Sequence, residues 1–289
     1  METIILSNWQ DYVAMTHDLD GWAFRGQENA LWPPLSSLSR HLLDFLPDKA
    51  LWRAREERAT RIFRRKAHNY LSDARVLEDD LRCLAMIQHH GGSTRLIDFT
   101  KSPFVAAFFA LERAVGDSAV FALNTPRLWN TAPLSNPTLT RQQIDPRIKG
   151  NLEKYFYENI HDVIWMGEPS EMDQRLVAQS GTFVMPGVLD KPIDRILDNY
   201  PAKNELIKKI VLPRHTREDG LRMLYRMNIT NASLFPDLEG LAKSIRFELE
   251  VIWQGLTDRS PNRMKGSMAQ VEGKYGAGFW PQSPSDRDF

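Results

Sequence analysis

Short apolar runs and amphipathic segments follow one another along the chain, and this pattern predicts strands and helices in mixed order. Helices are predicted at 47–70, 79–89, 103–114, 169–179, 216–227 and 237–253. Strands are predicted at 21–26, 95–99, 118–123, 162–166, 182–185 and 206–212. The elements do not follow the regular βαβ order of a parallel sheet. The pattern therefore predicts an α+β fold, with a split antiparallel sheet surrounded by helices.

The composition changes near the C-terminus, where four glycines and three prolines follow Leu256. Such a segment is typical of a tail rather than of a packed core. We therefore expect one globular domain over 1–256, with a helical insertion at about 40–90, and a Gly/Pro-rich tail over 257–289.

Charge and cysteine content restrict the class of protein. Lys+Arg and Asp+Glu are each 37, so the formal net charge is +0, which argues against wholesale electrostatic binding to nucleic acid or anionic membranes. The single cysteine, Cys83, excludes a disulfide framework. The chain starts without a signal-like segment and contains no membrane-length apolar run. We expect a cytoplasmic protein that does not bind membranes.

The densest polar segment is 88–102, which contains two histidines, an arginine, an aspartate and several hydroxyl groups around a short apolar strand. Buried segments carry so many polar groups when these form a hydrogen-bonded site. The adjacent His89 and His90 point away from each other, so we expect no metal. The structural alternative is an ion pair between Arg95 and Asp98, with hydroxyl groups that only cap a helix.

Two further segments carry candidate chemistry. Arg25-Gly26-Gln27 stands at a strand end, where an arginine can bind phosphate or carboxylate and a glycine lets a ligand approach the backbone. The alternative is a surface arginine before a turn. The segment 53–66 has seven basic residues and two acidic ones. This charge pattern predicts either a helix that binds RNA or DNA or a helix face exposed to solvent.

These motifs together resemble the FRG domain, a bacterial and phage family named for its Phe-Arg-Gly motif. The resemblance rests on Phe24 to Gln27, Gln88 to Gly91, and Thr94 to Leu96 with the polar positions up to Ser102-Pro103. The stretches 175–183 and 234–238 resemble later motifs of the family, so the likeness extends from about 22 to 241. Ser93, Phe99 and Asn228 stand where the family usually has proline, tryptophan and glycine.

A looser likeness is to the arginine-type ADP-ribosyltransferases, and it rests on Arg25-Gly26, on Thr100 with Ser102, and on the Ala106 to Ala110 helix. This likeness implies a split antiparallel sheet and NAD as substrate. Arg25 would orient the diphosphate or a ribose, and the Gly26 backbone would approach the nicotinamide amide. The implied NAD-binding residues are Arg25, Gly26, Gln27, His89, His90, Thr94, Arg95, Asp98, Thr100 and Ser102.

The acidic E-x-E segment of those transferases has no clear counterpart. Gln179 stands near its expected position, and Glu171 and Asp173 lie slightly upstream. The resemblance therefore implies Arg25, Gln179 and Glu171 as catalytic candidates.

The leading expectation is an enzyme that moves ADP-ribose from NAD to a macromolecule, in a toxin or phage-defence setting. Its acceptor would be RNA or DNA bound by the Arg53 to Lys66 helix, or a protein, and an antitoxin would regulate it. One alternative is an inactive sensor module that binds a nucleotide or a nucleic acid. Another is a nuclease-like enzyme that uses His89, His90 and Asp98.

Overall fold

The computed structural model describes residues 1–71 and 73–253 of the 289-residue chain. The chain divides into two compact units, Met1–Leu241 and Ala242–Phe289. The first unit contains the whole sheet. The tail predicted at 257–289 lies outside the described residues.

Seven strands form one sheet in the order β1-β7-β4-β2-β3-β6-β5. The strands are β1 (Glu2–Ile5), β2 (Ala23–Gln27), β3 (Ile97–Thr100), β4 (Ser118–Leu123), β5 (Ile164–Gly167), β6 (Gly181–Pro186) and β7 (Ile207–Leu212). Every neighbouring pair is antiparallel except β1 and β7, which run parallel. The predicted mixed fold with a mostly antiparallel sheet is therefore confirmed.

Helices lie between the strands without βαβ regularity. They are α1 (Trp9–Thr16), α2 (Ser37–Phe45), α3 (Trp52–Ala67), α4 (Asp80–His89), α5 (Pro103–Leu111), α6 (Thr125–Trp129), α7 (Gln174–Ala178), α8 (Ile193–Ile196), α9 (Arg217–Arg226), α10 (Asn231–Leu234) and α11 (Leu238–Phe247). Short 3₁₀ turns occur at Lys49–Leu51, Ala74–Leu77, Leu197–Asn199, Lys203–Glu205 and Arg214–Thr216, and π-helical turns at Leu152–Tyr157 and Glu248–Ile252.

The helix predicted at 169–179 is shorter than expected, because α7 begins only after Asp173. The Asp173 carboxylate accepts a hydrogen bond from the Leu176 backbone N–H at 2.8 Å, so this residue is the N-cap. Glu171 therefore precedes the helix.

The sheet is split at its centre. Five residue pairs join β2 to β4, and four join β3 to β6. In contrast, β2 and β3 share a single pair, Phe24 with Thr100. Beyond this pair the two central strands do not continue their ladder.

Helix α5 packs directly on β2, and this contact explains the glycine of the Phe-Arg-Gly motif. A Cβ at Gly26 would lie 2.0 Å from the Ala106 carbonyl oxygen and 2.6 Å from the Ala110 nitrogen. Both of these atoms belong to the helix backbone, which cannot rotate away as a side chain can. Gly26 is thus needed for helix packing, whereas the sequence suggested a close approach to a ligand.

A buried ion pair joins the start of β3 to α3. Arg95 is fully buried and Glu56 is 3% exposed. The Arg95 guanidinium binds both Glu56 oxygens, one of them at 2.6 Å, and also donates to the Pro186 carbonyl at 3.0 Å. The Arg95–Asp98 pair considered from the sequence is therefore wrong, because Glu56 reaches Arg95 from a distant helix.

We predict that Arg95→Met lowers the free energy of unfolding by about 3–5 kcal/mol, because it leaves the Glu56 carboxylate buried without its partner. The double variant Arg95→Met/Glu56→Leu should regain much of the loss, because no charge then remains buried. Urea denaturation of the single and double variants measures both effects. An additive double variant would contradict the pairing.

We predict that Gly26→Ala destabilises the protein by at least about 1–3 kcal/mol, because α5 must move away from β2. Gly116→Ala is the matched control, since a Cβ there meets no atom within 4 Å. Urea midpoints of the two variants test the packing argument, and equal midpoints would refute it.

Candidate functional site

A cavity of about 300 Å³ lies beside the split between β2 and β3. Its apolar walls include four phenylalanines, which come from both halves of the sheet and from α5: Phe24, Phe99, Phe109 and Phe183. Its polar lining includes two arginines, two aspartates, a histidine and two glutamines: Arg25, Arg175, Asp98, Asp173, His89, Gln88 and Gln179. Aromatic walls with a few converging polar groups are typical of a small-molecule site.

Arg25 stands where the central ladder stops. Its Nη1 donates to the Asp98 backbone carbonyl at 2.9 Å, across the gap between the strands. Its Nε is buried and has no partner, and Arg25 forms no ion pair with any described residue. Burial lowers the pKa of Arg25, Arg40 lowers it further, and Asp98 opposes both. The guanidinium therefore has unused capacity to bind an anion.

Gln88 fixes the Asp98 carboxylate. The Thr94 hydroxyl donates to Gln88 Oε1, and Gln88 Nε2 donates to Asp98 Oδ1 at 2.7 Å. Asp98 Oδ2 accepts no hydrogen bond from the described residues. One oxygen of this carboxylate is thus held in place, and the other is available to a ligand.

His89 and Asp173 form a second polar pair at the cavity. The His89 Nδ1 and Asp173 Oδ2 atoms are 3.1 Å apart, and the other Asp173 oxygen caps α7. The Nδ1 side of the His89 ring thus faces the Asp173 carboxylate. His90 packs edge-on against His89 but lines a different cavity, between α3 and α4.

Thr100 and Gln179 connect β3 to the residues before β6. The Thr100 hydroxyl donates to the Gln179 carbonyl at 2.7 Å and accepts from the Ser102 N–H at 3.0 Å. The Gln179 side chain donates to the Leu234 carbonyl at 3.0 Å. Both side chains line the cavity, yet their hydrogen bonds mainly hold the backbone that frames it.

Six of the residues that the sequence predicts for the site do line the cavity: Arg25, Gly26, His89, Asp98, Thr100 and Gln179. The others lie elsewhere. Arg95 is paired with Glu56 in the core, Glu171 is exposed and paired with Arg82 at 2.7 Å, and Ser102 caps α5.

Gln27, Thr94 and His90 are also outside the cavity lining. The Gln27 amide is buried and donates to the Pro33 carbonyl at 3.4 Å. Thr94 acts on the site indirectly, through Gln88. Helix capping accounts for Ser102, whereas Arg95 and Glu171 are held by partners that are distant in the sequence.

Sequence reasoning did not assign Gln88 or Arg175 to the site. Gln88 carried a signal, because it opens the Gln-His-His-Gly segment one residue before His89. Arg175 opens the stretch 175–183, which resembles a later motif of the family, but its place in the site depends on the fold. Its guanidinium lies 4.5 Å from the centre of the Phe235 ring, and Phe235 packs edge-on against Phe109.

The basic helix α3 contributes no side chain to this cavity. Arg53 pairs with Glu57, and Arg64 pairs with Asp80. The exposed basic residues that remain on α3 are Arg55, Arg58, Arg61, Arg65 and Lys66.

Within residues 1–71 and 73–253, the described part of the chain, no three His, Cys, Asp or Glu side chains lie close enough together to hold a metal ion. No helix in that part is long and apolar enough to cross a bilayer.

Residues 20–118 match the family model of the FRG domain. The chain contains an FRG domain. No curated protein and no solved structure matches the chain. The match includes β2, α4 and β3, and thus Arg25, Gln88, His89 and Asp98. Asp173 and Gln179, which flank α7 as its N-cap and C-cap, lie beyond the matched residues and line the same cavity.

We predict that Arg25→Met changes the free energy of unfolding by no more than about 1 kcal/mol, because the guanidinium has a single protein partner and loses hydration on folding. This contrasts with Arg95→Met, which removes a buried ion pair. Urea denaturation of both variants tests the contrast. Equal, large losses would show that Arg25 is a structural residue.

Proposed function

We propose that the chain binds NAD in the split-sheet cavity and transfers its ADP-ribose to a nucleophile on a macromolecule. The observation that carries the proposal is Arg25, which stands at the split in the sheet, lines the cavity and has a buried Nε without a partner among the described residues. The resemblance to arginine-type ADP-ribosyltransferases implies such an arginine beside a strand that ends in Thr and Ser. Thr100 and Ser102 stand at the end of the neighbouring strand, β3.

The lining residues suit the parts of NAD. Phenylalanine rings can stack on the nicotinamide, and the guanidinium of Arg25 can bind the diphosphate. Carboxylates accept hydrogen bonds from ribose hydroxyls. This fit supports a dinucleotide over a purely apolar ligand.

We assign to Asp98 the role of the acidic residue that the E-x-E segment would supply in an arginine-type ADP-ribosyltransferase. Cleavage breaks the bond between ribose C1′ and the nicotinamide nitrogen, and the leaving nicotinamide takes the bonding electrons. The ribose then develops positive charge, which a fixed carboxylate stabilises. Asp98 fits this task because Gln88 holds one of its oxygens and the other has no partner among the described residues.

We assign His89 to proton transfer. Asp173 orients its ring, and Nε2 then accepts the proton that the attacking nucleophile loses as its bond to C1′ forms. Water in place of the macromolecule would yield free ADP-ribose. The two aspartates thus act differently, since Asp98 faces the ribose charge and Asp173 orients a base.

The acceptor and the setting are part of the proposal. A toxin or phage-defence enzyme that modifies RNA or DNA would use the exposed arginines of α3 to hold the polyanion. A regulator such as an antitoxin would have to block the cavity or this helix.

A binding module without catalysis is the second candidate, and Gln179 favours it. This residue is a neutral amide near the position of the E-x-E segment, and its side chain is bonded to the Leu234 carbonyl. Such a module would bind NAD or a related nucleotide without cleaving it.

We predict that the wild-type protein releases nicotinamide from NAD when cell extract supplies an acceptor. Asp98→Asn should slow release by about a hundredfold or more, and Arg25→Lys by about ten- to a hundredfold, because a lysine cannot reproduce the guanidinium fork. The control is Asp18→Asn, whose side chain is exposed and lines no cavity described here.

Nicotinamide is quantified by chromatography, and NAD binding by calorimetry. NAD binding without nicotinamide release would establish the binding module instead. Full activity of Asp98→Asn would refute the assignment of the acid.

A further inference from the structure

A further cavity, of about 190 Å³ and called the second cavity because it also borders Arg25, lies next to the first one. It shares Arg25, Gln88 and Asp98 with the first cavity, so the same three residues border both. Its remaining lining includes Arg40, Ser36 and Ser37 from the start of α2, and Gly91-Gly92 from the turn after α4.

The charged side chains that line this second cavity are two arginines and one aspartate. Arg40 is exposed, and its Nη1 donates to the Leu35 backbone carbonyl at 2.8 Å. Neither arginine forms an ion pair within the described residues, and each has a backbone carbonyl as its hydrogen-bond partner. Other arginines of the chain, such as Arg95 and Arg64, are paired with carboxylates.

The two guanidinium groups line the same cavity. Burial lowers the pKa of Arg25, the Asp98 carboxylate raises it, and Arg40 adds a smaller lowering. An anion bound between two like charges offsets their repulsion. The Nε of Arg25, the residue that borders both cavities, is buried and has no partner among the described residues.

We propose that the second cavity binds the diphosphate of a nucleotide between Arg25 and Arg40. This deepens the proposed function and rests on it for the identity of NAD as that nucleotide. Each planar guanidinium can donate two parallel hydrogen bonds to one phosphate group, so two arginines suit two linked phosphates. The shared border at Arg25 lets one ligand place its phosphates here and its ring in the phenylalanine-walled cavity.

The backbone around the site leaves the arginines as the main donors. The Leu38 N–H at the start of α2 donates to the Thr94 carbonyl, and the Ser39 N–H to the Ser36 hydroxyl. The helix start therefore offers little to an anion. Arg40 is consequently the residue whose loss should weaken phosphate binding without disturbing the ring cavity.

Calorimetry with the full chain tests the proposal, with inorganic pyrophosphate, ADP-ribose and nicotinamide riboside as separate probes. Arg40→Gln should weaken binding of pyrophosphate and ADP-ribose by about ten- to a hundredfold and change that of nicotinamide riboside, which has no phosphate, less than about twofold. The control is Arg113→Gln, because Arg113 is exposed and lines neither cavity. Circular dichroism confirms that each variant is folded.

The proposal is overturned if wild-type protein does not bind millimolar pyrophosphate, or if Arg40→Gln binds it as tightly as wild type. Its failure is distinguishable from that of the transferase. Cleavage of NAD by Arg40→Gln with an unchanged KM would retain the transferase and reject the subsite. Pyrophosphate binding that depends on Arg40, in a protein that never cleaves NAD, would retain the subsite and reject the transferase.

Discussion

The buried pair of Arg95 and Glu56 holds together the elements on which the cavity depends. Arg95 lies two residues before the start of β3. Its guanidinium binds Glu56 of α3 and donates to the Pro186 carbonyl at the end of β6. The Tyr157 ring lies 5.5 Å from the guanidinium, and burial raises the pKa of the Tyr157 hydroxyl. A buried arginine with this many partners tolerates little movement, because any unpaired charge in the core is costly.

The polar motif around β3 therefore serves two purposes at once. Arg95 and Thr94 belong to the framework, since one fixes the strand and the other orients Gln88. Asp98 and His89 face the cavity. Framework and site lie close together in the sequence because this segment runs from the end of α4 through a turn into β3, and each part meets different neighbours.

Much of the fold could be predicted from local pattern. The β4 strand and the buried helix α5 follow from apolar runs, and Ser102-Pro103 marks the start of α5 through its hydroxyl cap. Helix α4 ends at a diglycine, where Gly91 adopts φ +83°. These features depend on neighbouring residues, so the sequence contains them directly.

The site could be predicted only in part, because its partners come from distant positions. Nothing near Arg95 indicates that Glu56, thirty-nine residues earlier, would pair with it. Asp173 and Arg40 likewise reach the cavities only because α7 and α2 pack there. Motif residues identified the region, whereas their exact roles depended on long-range packing that periodicity does not encode.

The contact between Gly26 and α5 also limits how this cleft can diversify. Its floor is set where the backbone of β2 meets the backbone of a helix, with no side chain between them. Phe109 of that helix lines the cavity, and a side chain at residue 26 would meet the backbone of the same helix. The depth of the cavity therefore cannot be adjusted by changing residue 26. Relatives that accept a different ligand would have to change the walls instead, through the short α7 segment and the loop that precedes it.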